Sequence, residues 1–255
     1  MPRLHRSLSR TVAAALLCLG SACHADKAPA ADPAELPQLG IMGTIPIYWG
    51  ESAGFGDVLA GKGTPHWAKA QLEAHYRLLP LDMLSPESLD GLDFLLLAQP
   101  RALSPAENVA LDDWVRAGGR LLLFADPLMT GGSSFPIGDR RRPQDVILIS
   151  PILDHWGLSL AFDDERELGY ELVPAMGTEI PVNLPGTLKA HKGEGTCSLI
   201  AAGVLASCQV GQGQVVLLAD AALLDLHSPH PAAAAALNKL TAESFKESGR
   251  ARDGR

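Results

Sequence analysis

The sequence has few aromatic residues, no long apolar run and no surplus of positive charge. Aromatic residues make up 5% of the 255 residues and apolar residues 47%, so we expect an aliphatic core. A membrane-spanning helix needs roughly 20 consecutive apolar residues, and the absence of such a run predicts no transmembrane helix. The formal net charge is -8, and an acidic surface argues against nucleic acid as a partner.

Motifs for cofactor, metal and nucleophile chemistry are also missing. There is no Gly-x-Ser-x-Gly elbow, and Ser133 and Ser134 have no evident base near them in the sequence. His227 lies near only one other histidine, whereas a zinc site needs three or four ligands. The run Gly56–Lys62 has the spacing of a phosphate loop, but Gly63 stands where a hydroxyl residue must follow the lysine. We therefore predict no cofactor and no metal.

The amino terminus has the pattern of a secretion signal. Basic residues precede the apolar run Val12–Leu19, which is the order found in signal peptides. The segment Leu19–Cys23 resembles a lipoprotein processing box with Cys23 as the lipidated residue, although Gly20 stands where leucine is expected. Cleavage after Ala25 without lipidation is the alternative. Either route predicts a protein of the periplasm or cell envelope, attached to a membrane only through lipid on Cys23.

The rest of the chain is long enough for one domain with a sizeable core. We predict a signal peptide over 1–25 and an Ala/Pro-rich tether over 26–38. An α/β domain follows over 39–228, with a β-rich insertion at 158–213. A helix and a polar tail occupy 229–255.

Strand-like apolar runs alternate with helical patterns in the first half of the domain, which predicts a parallel sheet covered by helices. The sharpest helix signal is the capping box formed by Ser104 and Glu107, with Pro105 at the first helical position. The predicted strands are 44–49, 77–81, 93–98, 120–125 and 214–219. The predicted helices are 65–76 with Thr64 as its cap, 105 to the glycine pair at 118, 145–156 with Gly157 as its cap, and 230–246.

The two cysteines outside the signal predict a disulfide. If 197–201 and 204–208 are strands joined by a short turn, Cys197 lies directly opposite Cys208. Opposed residues are about 4.5–5.5 Å apart at Cα, which is within disulfide range, and an oxidising envelope compartment allows the bond. The alternative is a pair of reduced thiols.

Polar residues follow the predicted strands at their carboxyl ends, where open parallel sheets bind ligands. An arginine there can grip a carboxylate or phosphate, and a carboxylate can accept from a hydroxyl or an amine. The other interpretation is that these groups cap helices and pair with one another. The predicted ligand-binding residues are Glu51, Gln99, Arg101, Asp126, Asp139 and Arg140.

Three segments, 45–51, 96–103 and 110–127, resemble a bacterial family with a class I glutamine-amidotransferase-like domain, akin to the auxiliary domain of gliding-motility ABC transporters. The resemblance implies an α/β, flavodoxin-like fold: a mostly parallel sheet with flanking helices, here with a small β-hairpin insertion. It also implies a link to envelope or transport systems. Amidotransferases place a catalytic cysteine on a tight turn after a central strand, and this chain has Asp126 there. That difference argues against glutamine hydrolysis.

These observations predict a non-catalytic exported protein. It would bind a small ligand, a glycan or a partner such as a membrane transporter or envelope complex. One alternative is a hydrolase that acts on a cell-wall or carbohydrate substrate through Asp126 and Asp139, which requires both carboxylates to face one cavity. A second alternative is a scaffold for a membrane complex.

Overall fold

The computed structural model describes residues 36–51, Gly56 and residues 65–246. The predicted signal, the lipidation of Cys23, most of the tether and most of the phosphate-loop-like run lie outside these residues. Within them, no helix is both long and apolar enough to cross a membrane.

The described chain alternates strands and helices as far as residue 156, and is mostly strand from there to residue 218. The strands are β1 (Gln38–Gly43), β2 (Arg77–Pro80), β3 (Phe94–Ala98), β4 (Arg120–Phe124), β5 (Leu158–Ala161), β6 (Tyr170–Ala175), β7 (Thr178–Asn183), β8 (Thr187–Ala190), β9 (Thr196–Ile200), β10 (Leu205–Val210) and β11 (Gly213–Leu218). The helices are α1 (Trp67–Glu73), α2 (Pro86–Leu89), α3 (Pro105–Arg116), α4 (Ser150–Trp156) and α5 (Ala233–Ser244).

The main sheet has seven strands in the order β2-β1-β3-β4-β11-β10-β9. The first five strands are parallel to one another, β10 is antiparallel to β11, and β9 is antiparallel to β10. β5 pairs with β8 and β6 with β7 in two separate antiparallel sheets. The prediction of a flavodoxin-like, mostly parallel sheet with one hairpin insertion is therefore wrong. A tight turn at Gly211 joins β10 to β11, and a tight turn can join only antiparallel strands, so the predicted insertion extends the main sheet and makes it mixed.

The first strand lies earlier in the chain than predicted. Residues 44–49 form turns, and β1 occupies the preceding segment. Two glycines weaken its apolar pattern, and both lie where neighbouring segments pack closely. A Cβ on Gly43 would lie 1.9 Å from the carbonyl oxygen of Ala98, and one on Gly40 would lie 2.9 Å from a methyl carbon of Leu92. Packing against β3 thus explains a sequence that looks unlike a strand.

The remaining element predictions are mostly confirmed, with shifted boundaries. Strands β2, β3, β4 and β11 lie where expected, and α3 begins with the predicted capping box. Helix α1 begins at Trp67, with His66 as its N-cap instead of Thr64. Helix α4 begins at Ser150, five residues later than predicted, and ends at Gly157 in the left-handed conformation.

Side chains alternate along each strand and so point to both faces of the main sheet. Helices cover both faces. One face, with Leu96 and Leu122, packs against α1 and α5. The other face, with Leu95 and Leu121, packs against α3 and α4, where Trp156 is fully buried. The two helical layers leave the carboxyl edge of the parallel strands to be covered by loops, and the predicted site residues lie in those loops.

Candidate functional site

Gln99 joins the ends of β3 and β4 and contacts the loop that follows β4. Its Oε1 accepts from the backbone N–H of Asp126 (2.8 Å), and its Nε2 donates to the carbonyls of Asp126 (2.9 Å) and Gln144 (3.0 Å). The residue is fully buried and has a φ of 49°, a conformation that is uncommon outside glycine. These three hydrogen bonds of the Gln99 side chain all join it to backbone groups of the protein.

Asp126 and Asp220 are fully buried carboxylates that follow the neighbouring strands β4 and β11. Asp126 accepts from the backbone N–H groups of Leu128 (2.9 Å) and Ala221 (3.1 Å). Asp220 accepts from those of Ala222 (2.7 Å) and Asn183 (2.9 Å). The pair thus fastens the loops after both strands, and reaches the end of β7.

Burial favours the neutral form of these two acids. It raises the pKa of Asp126 to about 6, against the opposing effect of the two N–H donors. Burial and then the charge of Asp126 raise the pKa of Asp220 well above its usual value. Two adjacent carboxyls of this kind resist double ionisation, so they retain a proton at pH values where exposed aspartates have none.

Arg101 makes an ion pair inside the fold. Its guanidinium donates two hydrogen bonds to the buried carboxylate of Glu107 (2.8 and 2.9 Å) and one to the carbonyl of Asp82 (3.0 Å). The bond from Arg101 is the largest cause that holds the pKa of Glu107 at about 2. The guanidinium of Arg101, which was expected to bind a ligand, therefore stabilises the start of α3.

Asp139 lies in the surface loop 127–143 and pairs with Arg141, whose guanidinium donates to both carboxylate oxygens (3.0 and 2.7 Å). These bonds lower the pKa of Asp139 to about 2. Arg140 is exposed beside it. Asp126, by contrast, is fully buried, and no hydrogen bond joins the two carboxylates. The two carboxylates thus have different surroundings, since Asp126 is enclosed and bonded to backbone N–H groups, whereas Asp139 pairs with Arg141 in the surface loop.

Glu51 organises a cluster that the sequence pattern did not reveal. Ser133 Oγ donates to its Oε1 (2.6 Å), the backbone N–H of Ser134 donates to its Oε2 (2.8 Å), and Nε2 of His227 lies 3.1 Å from Oε2. Burial raises the pKa of Glu51, but the hydrogen bonds outweigh it and lower the pKa overall. The carboxylate is buried, whereas the imidazole is about a third exposed. Ser133 and His227, which lie 82 and 176 positions after Glu51 in the sequence, thus meet it at one surface.

Ser134, His227 and Glu51 do not form a nucleophilic relay in this arrangement. Ser134 Oγ lies 3.5 Å from Nε2 of His227, which is the same nitrogen that faces Glu51. One ring nitrogen cannot donate to a carboxylate and accept a hydroxyl proton at once, whereas a catalytic triad uses both nitrogens. The cluster can hydrogen-bond a ligand without activating a serine.

An exposed indole lies beside this cluster. Trp49 is 59% exposed and is separated from Glu51 by Gly50, whose φ of 67° turns the chain. The ring of Tyr48 packs edge-on against it with a centroid distance of 4.7 Å, and Nζ of Lys69 lies 4.6 Å from the centre of the Tyr48 ring. A supported but uncovered tryptophan next to a carboxylate is typical of a surface that binds a partly apolar, partly polar ligand.

The disulfide between Cys197 and Cys208 is present, with an S–S distance of 2.02 Å and opposed residues in β9 and β10. Both cysteines of the described residues are thus in a disulfide. Asp126 lacks the positive φ of a nucleophile elbow. Among the described residues, nothing provides the thiol that glutamine hydrolysis needs. The same residues contain no group of three or more potential metal ligands.

Comparisons with known proteins give only distant likenesses. No family model matches the chain, and no curated protein matches its sequence. Among solved structures, it is similar to the exo-β-1,4-mannosidase Op5Man5 from Opitutaceae bacterium strain TAV5 (12% identity, TM-score 0.49, 82% of this chain and 35% of that one). It is similar to a β-galactosidase from Rahnella sp. R3 (12%, 0.44, 82% and 31%) and to the cytoplasmic protein STM1381 from Salmonella typhimurium LT2 (14%, 0.41, 83% and 100%). The chain spans about a third of the length of the two glycosidases. At these identities and TM-scores, the likeness transfers no activity to this chain.

Proposed function

We propose that this chain is a non-catalytic carbohydrate-binding domain of the periplasm or cell envelope. The observation that carries the proposal is the exposed indole of Trp49 next to the cluster of Glu51, Ser133, Ser134 and His227. We call these five residues the Trp49 surface. An aromatic face suits the C–H face of a pyranose ring, and the exposed Ser134 and the imidazole of His227 suit its hydroxyls. The buried carboxylate of Glu51 positions both residues through its hydrogen bonds.

The chemistry of the cluster favours binding over catalysis. A glycosidase needs one carboxylic acid that is protonated near neutral pH beside a second, ionised carboxylate. The pKa of Glu51 is lowered, so it is ionised at neutral pH. The carboxyls whose pKa is raised, Asp126 and Asp220, are fully buried. The pattern of a secretion signal supports the location, and a transporter or other envelope complex is the proposed setting.

Binding to immobilised polysaccharides and to a glycan array tests the proposal. We expect Trp49→Ala to weaken binding about tenfold or more, because aromatic anchors dominate such contacts, and Glu51→Gln to weaken it less. Leu199→Ala is the matched control, since Leu199 is exposed on β9 at the opposite part of the main sheet. Equal binding by all three variants, or no glycan bound by the unmodified chain, would refute the proposal.

A hydrolase that acts on carbohydrate is the second candidate. The observation in its favour is the pKa of Asp126, raised to about 6 by burial, which is the range of a general acid. The loop 127–143 would have to open to expose this carboxyl. β-Mannosides and β-galactosides are suitable probes, because the two glycosidases above are named for them. Release of nitrophenol from such glycosides, lost in Asp126→Asn, would establish this candidate over the first.

A further inference from the structure

The β6–β7 hairpin has an exposed apolar face. Tyr170 and Leu172 alternate along β6 and are 40% and 46% exposed, and Leu168, two residues earlier, is 73% exposed. Side chains two apart on a strand share a face. On the other face of β6, Glu171 is exposed, whereas Val173 and the last residue of the strand, Ala175, pack against the core. Leu172 therefore points away from the core, and the ring of Tyr170 lies beside that of His230, 5.3 Å between centroids, while it stays partly exposed.

The backbone at the same place has an unpaired edge. β6 pairs only with β7 among the described strands, and Leu172 lies opposite Pro181. Because Pro181 has no N–H, this is a non-hydrogen-bonded pair, so the N–H and C=O of Leu172 point away from β7, as do those of Tyr170 by alternation. No described residue bonds to these groups. Pro174 ends the row of free donors.

The rim of this edge is strongly acidic. The segment 163–171 has five carboxylates and one guanidinium. Arg166 pairs with Asp163 (3.4 Å) and Glu171 (3.0 Å), and no ion pair within the described chain reaches Glu165 or Glu167. Both of these side chains are exposed. The edge thus combines free backbone groups, apolar side chains and uncompensated negative charge.

We propose that the outer edge of β6 binds an extended segment of a partner protein in which apolar residues alternate with lysine or arginine. The segment adds a strand to β6 by main-chain hydrogen bonds, which is an established mode of peptide recognition. Its apolar side chains cover Tyr170 and Leu172, and its basic side chains face Glu165 and Glu167. A free edge of this kind otherwise favours aggregation. The inference is independent of the Trp49 surface.

A synthetic peptide of alternating lysine and valine, labelled for fluorescence anisotropy, tests the inference with the full chain. We expect it to bind, and to bind more weakly at high salt. Leu172→Ser and the double substitution of Glu165→Gln with Glu167→Gln should each weaken binding about tenfold. Leu199→Ser, at an exposed leucine on β9, an edge strand of the main sheet, should leave binding unchanged.

Two further peptides test the mode of binding. A glutamate–valine peptide should not bind, and a lysine–valine peptide N-methylated at alternate residues should bind poorly because it lacks the donors for β6. Equal binding of the methylated peptide, equal binding by the Leu172→Ser chain, or no binding of the parent peptide would overturn the inference. A dimer in sedimentation that Leu172→Ser abolishes would also overturn it, because the occupant would then be a second copy.

Discussion

At the scale of single residues, polar groups that precede or follow strands can serve the fold or a ligand, and the sequence does not distinguish the two. Gln99 and Asp126 form hydrogen bonds to backbone groups of neighbouring loops, and Arg101 pairs with Glu107. Glu51 was predicted from its place in the sequence, but its contact with His227 was not, because 176 positions separate them.

Asp126 predicts a specific dependence of stability on pH. Its pKa is about 6 in the folded chain and near 3.9 when unfolded, so the folded state binds more protons between these values. Its stabilising contribution is complete below the unfolded pKa and is lost as the pH rises through about 6. Relative to Asp126→Asn, we expect the free energy of unfolding of the unmodified chain to fall by on the order of 2 kcal/mol between pH 4 and 7.

Urea titrations of both chains across this pH range measure that difference. Burial lowers the pKa of His66 to about 4, which makes stability change in the opposite direction, so only the comparison between the two chains is informative. Asp90→Asn, which removes a carboxylate at an exposed position, is the control variant. A constant difference for Asp126→Asn would mean that its pKa is not raised.

At the scale of secondary structure, local chemistry predicted some elements and packing decided others. The capping box at Ser104 uses contacts within four residues, so the start of α3 is readable in the sequence. β1 depends on Gly40 and Gly43 fitting against neighbouring chain segments. The sequence of such a strand resembles that of a loop, and only the neighbouring segments show why its glycines are present.

Glu107 links α3 to the loop before α2, and its removal should destabilise both. Its carboxylate accepts from Arg101, from the cap at Ser104 and from the N–H of Leu84 (3.2 Å). We expect Glu107→Gln to lower the free energy of unfolding by about 1–3 kcal/mol at pH 7, since bonds to a buried charge are lost. Urea denaturation checks this, with Asp113→Asn on the exposed side of α3 as the control.

The effect of Glu107→Gln should also depend on pH. The folded pKa of Glu107 is about 2, so its stabilisation is present above its unfolded pKa and is lost as the pH falls toward 2. The difference between the two chains should therefore narrow in acid. A difference that widens below pH 4 would contradict the ion pair with Arg101.

At the scale of the whole molecule, the mixed sheet places the disulfide between its last two strands. Cys197 and Cys208 join β9, at one edge, to β10. β10 in turn pairs with the buried β11. The disulfide thus fastens the edge of the main sheet to its interior.

Loss of the disulfide should lower the free energy of unfolding by about 2–3 kcal/mol, as expected for a closed loop of this length. Urea denaturation with and without reductant measures the change. The Cys197→Ala, Cys208→Ala double variant is the control, because reductant should not alter its stability. Hydrogen exchange should accelerate first at β9. Reductant-insensitive stability of the unmodified chain would show that the bond contributes nothing.

The sequence by itself determined the disulfide register, most strands and the capped start of α3, because each depends on neighbouring residues or on simple periodicity. Tertiary structure alone decided the position of β1, the antiparallel β10 and β9, the clustering of Glu51 with His227, and the exposure of the β6 edge. These features arise from contacts between segments far apart in the chain. The energies of these contacts depend on which segments meet, and no local sequence pattern contains that information.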